Sequence, residues 1–139
     1  KLFCIIGDGS FLMNVQDLQV INQDQLNIKI TVVNNNGYLA IRQTQQGFLS
    51  SRFYGTHPAW KLKMPSIKNI AAAFEISYLR LDRSEDTDQV IDNVLETPGP
   101  LICEIVVDEE QEVLFKQGYV HNPDGTNTPQ PLSRMIVAS

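Results

Sequence analysis

Two stretches decide the fold: Lys1-Leu2-Phe3-Cys4-Ile5-Ile6-Gly7-Asp8-Gly9, and Lys29-Ile30-Thr31-Val32-Val33-Asn34-Asn35-Asn36-Gly37. Each is a short apolar run that ends abruptly in small polar residues. A run of this kind predicts a strand buried on both faces, and the second is rich in β-branched residues. Between them, Val15, Leu18 and Ile21 fall on one face at helical spacing, with Met13 and Val20 beside it, so Asn14 to Ile21 reads as a helix. Gly7-Asp8-Gly9-Ser10 reads as a break and Asn22 to Asn27 as a turn. Strand, helix, strand implies a parallel pair joined by a crossover. Ligands of open α/β sheets bind at the carboxyl ends of the strands. Gly7-Asp8-Gly9 and Asn34-Asn35 should therefore face one crevice.

The same alternation continues outward. A helix is predicted from Leu39 to Gln46. From Gly47 to Pro65 the period is lost in an aromatic stretch, long for a loop and of the kind that covers a site. Ser66 is placed to cap a helix reaching Phe74. Tyr78–Leu81 and Leu101–Val107 read as strands, and Asp86–Leu95 as a helix with Val90, Ile91, Val94 and Leu95 on its apolar face. The expected fold is α/β, a mostly parallel sheet flanked by helices and incomplete at its N-terminus. It forms one domain over residues 1–139, with 108–139 as an extended tail containing the Pro-rich Asn122–Pro131.

Composition narrows the function. The chain has 139 residues, enough for one domain, and 42% hydrophobic residues, enough for a core. Its net charge of −5 excludes binding to nucleic acid by general electrostatics and a polybasic membrane patch. No apolar run is long enough to span a bilayer, and no signal-peptide core is visible. Cys4 and Cys103 sit in apolar runs and read as small buried hydrophobes. A reducing cytoplasm is the expected location.

The two strand ends carry the chemistry. Gly7 and Gly9 let the backbone turn and approach a ligand. The helix that follows offers free N–H groups to an anion such as phosphate. Asp8 brings a carboxylate oxygen and Asn35 an amide oxygen. Mg²⁺ favours such sites, with substrate phosphates and water completing its octahedron.

Gly7-Asp8-Gly9-Ser10 through Asn34-Asn35 resembles the thiamine-diphosphate-binding motif, which begins GDG and ends NN at this separation. The segments Gly7 to Leu18 and Asn34 to Tyr38, with Arg42-Gln43 just after, are similar to the acetolactate synthase (acetohydroxyacid synthase) branch. The resemblance is most specific from Ile5 to Gln43, and it implies most of a C-terminal diphosphate-binding domain. It implies that Asp8, the side-chain oxygen of Asn35 and the carbonyl of Gly37 bind Mg²⁺. Gly7 belongs to the same cofactor-binding segment, Gly9 and Ser10 would donate to the diphosphate, and Tyr38 and Leu39 would lie beside the cofactor.

The resemblance also implies a reaction. Pyruvate or another 2-oxo acid is decarboxylated, and the acetyl unit passes to a second carbonyl compound. No catalytic residue is expected in this segment, because the activating Glu belongs to an N-terminal domain of a partner subunit. A homodimer or homotetramer follows, with room for a regulatory subunit and for FAD in a middle domain. Thr44 stands where synthases of branched-chain precursors carry Trp. It keeps open a 2-oxo acid decarboxylase or a sugar-directed carboligase. A phosphate-binding module without chemistry is the alternative from another class.

Other residues read more plainly. His57 and His121 are expected on the surface or in packing, Arg42 and Arg52 as solvated charges, and Phe53 and Trp60 as hydrophobic anchors. Asp108-Glu109-Glu110 reads as a solvated strand end. No Ser-His-Asp arrangement and no zinc-ligand spacing stands out.

Overall fold

A computed structural model describes residues 1–111, 115–134 and 136–137. Lys1–Glu109 forms one compact unit, and a second begins at Glu110. In the first, the strands are β1 (Leu2–Gly7), β2 (Ile28–Asn34), β3 (Ser77–Leu81) and β4 (Leu101–Val106). They form one parallel sheet in the order β1-β2-β4-β3. The helices are α1 (Asp8–Met13), α2 (Leu18–Gln23), α3 (Leu39–Phe48), α4 (Ile67–Ala73) and α5 (Thr87–Glu96). The expected α/β class holds.

Strand periodicity divides the core between the two faces of the sheet. Ile30, Val32 and Ile102 pack with Phe11, Leu18, Ile67 and Ala71 on one face. Leu101 and Cys103 pack with Val94, Val90 and Leu79 on the other. Right-handed crossovers account for this division. Steps from β1 to β2 and from β2 to β3 run one way and set α1, α2 and α4 on one face. The step back from β3 to β4 sets α5 on the other.

Several boundaries differ from expectation. The first helix starts at Asp8 itself, directly after the extended Gly7, so the Gly-Asp-Gly stretch opens a helix rather than a turn. That helix is not continuous to Ile21: a 3-10 turn at Val15–Asp17 separates α1 from α2. Ser66 does cap α4, its hydroxyl accepting from the Asn69 N–H at 3.2 Å. β4 is buried as expected, and Cys103 with it. β1 is not buried on both faces. Leu2, Phe3 and Ile5 are 56%, 53% and 78% exposed, and Cys4 is half-buried. The reason is position: β1 is the sheet edge, and the core beneath α5 is built from β3 and β4.

The segment expected as an extended tail carries short antiparallel pairs. β5 (Phe115–Lys116) pairs with β8 (Ile136–Val137), and β6 (Tyr119–His121) with β7 (Asn127–Pro129). The Asn122–Thr126 turn closes the second pair, with the Asn122 N–H donating to the Thr126 carbonyl at 2.8 Å. The rest of that tail, residues 112–114, 135, 138 and 139, lies outside the described residues. No helix among the described residues is long and apolar enough to cross a membrane.

Candidate functional site

β1 and β2 are neighbours in parallel, with Gly7 level with Val33. Their carboxyl ends therefore open side by side, and the residues that follow each strand meet. They enclose a cleft of about 240 Å³ lined by Gly7, Asp8, Gly9, Ser10, Asn35, Gly37, Tyr38 and Leu39, together with Met13, Ala40 and Ile41. All eight residues expected at the site are in this one lining.

Asp8 is the centre of the arrangement. It is only 3% exposed. Its Oδ1 accepts from the Gly9 N–H and its Oδ2 from the Gly37 N–H, both at 2.8 Å. The second bond joins the ends of β1 and β2. Burial pushes the Asp8 carboxyl above its ordinary value, against the pull of the Gly37 and Gly9 N–H groups and the Arg42 guanidinium. The N–H of Gly9, expected to face a phosphate, is engaged here by Asp8. Beside them, Asn35 Oδ1 is buried and has no hydrogen-bond partner among the described residues. A buried amide oxygen in that condition costs free energy unless something fills its place.

Two glycines are required by contact. A Cβ on Gly9 would lie 2.5 Å from the Tyr38 ring. A Cβ on Gly37 would lie 2.9 Å from the Thr56 carbonyl oxygen, and Gly37 has φ +149, which side-chain-bearing residues rarely adopt. Gly9→Ala therefore sets two effects against each other. Alanine favours a helix by about 1 kcal/mol, while overpacking costs about 1–3 kcal/mol. The contact is with the body of a ring, so the loss is expected to win. Urea unfolding should show Gly9→Ala less stable, and the Gly9→Ala/Tyr38→Ala double variant less impaired than the two single changes added together. Strict additivity would remove the clash as the cause.

Arg42 is not a solvated charge. It is 3% exposed. Nη1 donates to the Thr56 carbonyl at 3.3 Å, and Nη2 to the Asn35 carbonyl at 3.3 Å and to the Glu109 carbonyl. Gln45, one turn along α3, donates from Nε2 to the Tyr54 carbonyl at 3.2 Å and accepts from the Thr56 hydroxyl. The aperiodic loop after α3 is thus tied down by the buried face of that helix. Within the loop, the ring of His57 stacks on Phe53 with centroids 5.3 Å apart, and its Nδ1 accepts from the Ala59 N–H. Trp60 meets Phe53 and Tyr54 edge-on. Packing is the role expected for these residues, and Arg52 is exposed.

Sequence reasoning missed an acidic pair. Glu104, in the middle of β4, is 4% exposed. It accepts from the Asn34 amide and the Tyr78 hydroxyl, and Arg80 Nη1 lies 3.6 Å away. Burial and the Glu104 carboxylate push the Tyr78 phenol up to about 12, so it remains a donor. Glu109, read as solvated, accepts from Asn36 Nδ2 at 2.6 Å. A charged residue in an apolar strand was the only signal of Glu104.

The profile of the family described as "Thiamine pyrophosphate enzyme, C-terminal TPP binding domain" matches residues 1–105. The chain belongs to this family. Its similarity extends to curated relatives. It is 36% identical over 106 residues to the acetolactate synthase large subunit of Cyanidium caldarium, covering 76% of this chain and 18% of the relative. It is 34% identical over 110 residues to the acetolactate synthase isozyme 2 large subunit of Escherichia coli (strain K12), covering 79% and 20%. Acetolactate synthase 1, chloroplastic, of Oryza sativa subsp. japonica is 32% identical over 114 residues, covering 79% and 18%. The chain thus spans about a fifth of the length of these relatives. The matched range takes in the sheet as far as Ile105 and every residue of the cleft.

Proposed function

We propose that the cleft holds the diphosphate end of thiamine diphosphate through Mg²⁺, in an enzyme of the acetolactate synthase type. The observation that carries the reading is that Asn35 Oδ1, buried and without a partner among the described residues, shares one lining with the buried Asp8 carboxylate. A cation between them would satisfy both oxygens, and Mg²⁺ is suited to a site of few protein oxygens completed by phosphate and water. The donor set therefore fits the group.

In this reading Asp8, Asn35 Oδ1 and the Gly37 carbonyl hold the metal, and Gly7, Gly9 and Ser10 form the floor beside the diphosphate. Tyr38 and Leu39 form a wall against the cofactor. When bound, the cofactor would supply a carbon nucleophile for a 2-oxo acid carbonyl and a cationic ring to take up the electron pair left as carbon dioxide departs. The residues of this chain bind and orient it. Tyr38, held against Gly9, fixes the width of the cleft. Arg42 fixes the Asn35 carbonyl and with it the path of the turn.

The intact enzyme is proposed to pass the acetyl unit from pyruvate to a second carbonyl compound. Its activating glutamate comes from outside this segment, and it works as a cytoplasmic homodimer or homotetramer. A regulatory subunit and FAD belong to the same proposal. A second reading within the family, a 2-oxo acid decarboxylase or a carboligase with a sugar acceptor, draws on Thr44. That residue is small and exposed on α3, its hydroxyl donating to the Ala40 carbonyl at 3.1 Å. Product analysis with pyruvate, alone and with a sugar acceptor, separates these readings.

Calorimetric titration of thiamine diphosphate into the intact protein, with and without Mg²⁺, tests the site. Binding that requires Mg²⁺ is expected. No binding under either condition would sink the proposal.

A further inference from the structure

The three consecutive asparagines are treated unequally by their surroundings. Asn35 and Gly37 line the 240 Å³ cleft. Asn34 and Asn36 line a different cavity of about 560 Å³, with Ser66, Tyr78, Arg80 and Glu104 among its walls. The turn is thus a partition whose alternate residues face opposite sides. On the far side both amide side chains are engaged. Asn34 donates to Glu104 and, through Oδ1, accepts from the Asn36 N–H at 2.8 Å. Asn36 in turn donates to Glu109. On the near side Asn35 Oδ1 has no partner among the described residues.

We propose that Glu104 is a positioning residue for the cation site: by holding Asn34 it fixes the turn so that Asn35 Oδ1 faces the cleft. This rests on the reading of that cleft as a Mg²⁺–diphosphate site. The geometry suits the task. Glu104 lies level with Val32 on β2 and Arg80 on β3, so its backbone is fixed by ladders on both sides. Its two oxygens are divided, one taking the Asn34 amide and the other the Tyr78 hydroxyl. A carboxylate held this way is a rigid acceptor. A turn hung from it loses less freedom when a cation arrives. Residues that orient metal ligands without touching the metal commonly change its affinity about 10- to 100-fold.

The test measures the Mg²⁺ concentration for half-maximal thiamine diphosphate binding in the intact protein by calorimetry, with thermal midpoints recorded alongside. Glu104→Leu is expected to raise that concentration about 10- to 100-fold. Glu104→Gln, which still offers an oxygen to Asn34 and an amide to the Tyr78 oxygen, should stay within about threefold of wild type, given its retained acceptor. Asn34→Ala should reproduce the Glu104→Leu effect, and the double variant should add nothing to it. Asn34→Ala carries the test if Glu104→Leu does not fold. A wild type that binds only with Mg²⁺, together with folded variants whose Mg²⁺ requirement is unchanged, would overturn the inference. So would a Glu104→Gln as impaired as Glu104→Leu. A wild type with no Mg²⁺ dependence would overturn the underlying reading of the cleft, and this inference with it.

Discussion

Asp8→Asn should lose Mg²⁺-dependent binding of thiamine diphosphate by about 100-fold or more, since even partners that only orient a ligand cost 10- to 100-fold. Its metal-free stability should change little, because two effects oppose each other. The ionised Asp8 is costly to bury, which is why its carboxyl is raised. Asparagine removes that cost. Asparagine also keeps one acceptor oxygen where the carboxylate served both Gly9 and Gly37, leaving one N–H unpaired at about 1–3 kcal/mol. The net change is expected within about 2 kcal/mol on those same magnitudes. Thermal unfolding with and without Mg²⁺ and cofactor measures both effects. A ligand at 100 times its dissociation constant stabilises by about 2.7 kcal/mol, so the wild type should melt higher when loaded and the variant should not. A variant that keeps the full ligand-induced shift would remove Asp8 from the metal site.

The second large effect is expected at Arg42. Arg42→Met keeps the aliphatic stem and removes the bonds to Thr56, Asn35 and Glu109 together. Bonds from a charged donor are worth about 1.5–3 kcal/mol each, and the two at 3.3 Å fall at the low end, so a loss of about 4.5–6 kcal/mol is expected. Lysine should recover little of it, since a single ammonium cannot reproduce the planar fork. The loss should be felt first in the loop that Arg42 holds. Limited trypsin digestion should cut the variant at Arg52, Lys61 and Lys63 well before the wild type. Equal resistance in both proteins would show that the aromatic packing of Phe53, His57 and Trp60 holds the loop without help.

Periodicity was a good guide for the last helix and the last strand of the sheet. The helix at Asp86–Leu95 and the strand at Leu101–Val107 are found within a residue or two as α5 and β4. The cleft was legible because both of its halves follow strands, and parallel neighbours must open on one edge. Three things were not legible. The strand order was not, so the exposure of Leu2, Phe3 and Ile5 on an edge strand could not be read from their apolar character. The buried charge of Arg42 was not, because its partners are backbone carbonyls, which leave no mark in a sequence. Glu104 was not, because its contact with Asn34 joins residues 70 positions apart. The Gly-Asp-Gly stretch misled in a smaller way: two glycines suggested a turn, while the contact with Tyr38 requires a glycine inside a helix.

The position of β4 has a consequence for folding. It is the last strand of the sheet in sequence, yet it lies between β2 and β3. The bond from Gly37 to Asp8 closes 29 residues, whereas the bond from Asn34 to Glu104 closes 70. Longer closures cost more entropy and are reached later. The two strand ends that carry Asp8 and Asn35 can therefore meet early, within the β1–β2 unit alone. The anchor on Asn34 arrives only when β4 has threaded into the gap. On the proposed reading of the cleft, competence to take up a cation then reports on completion of the sheet, and a chain whose central strand has not docked presents a loose site that retains ligand poorly.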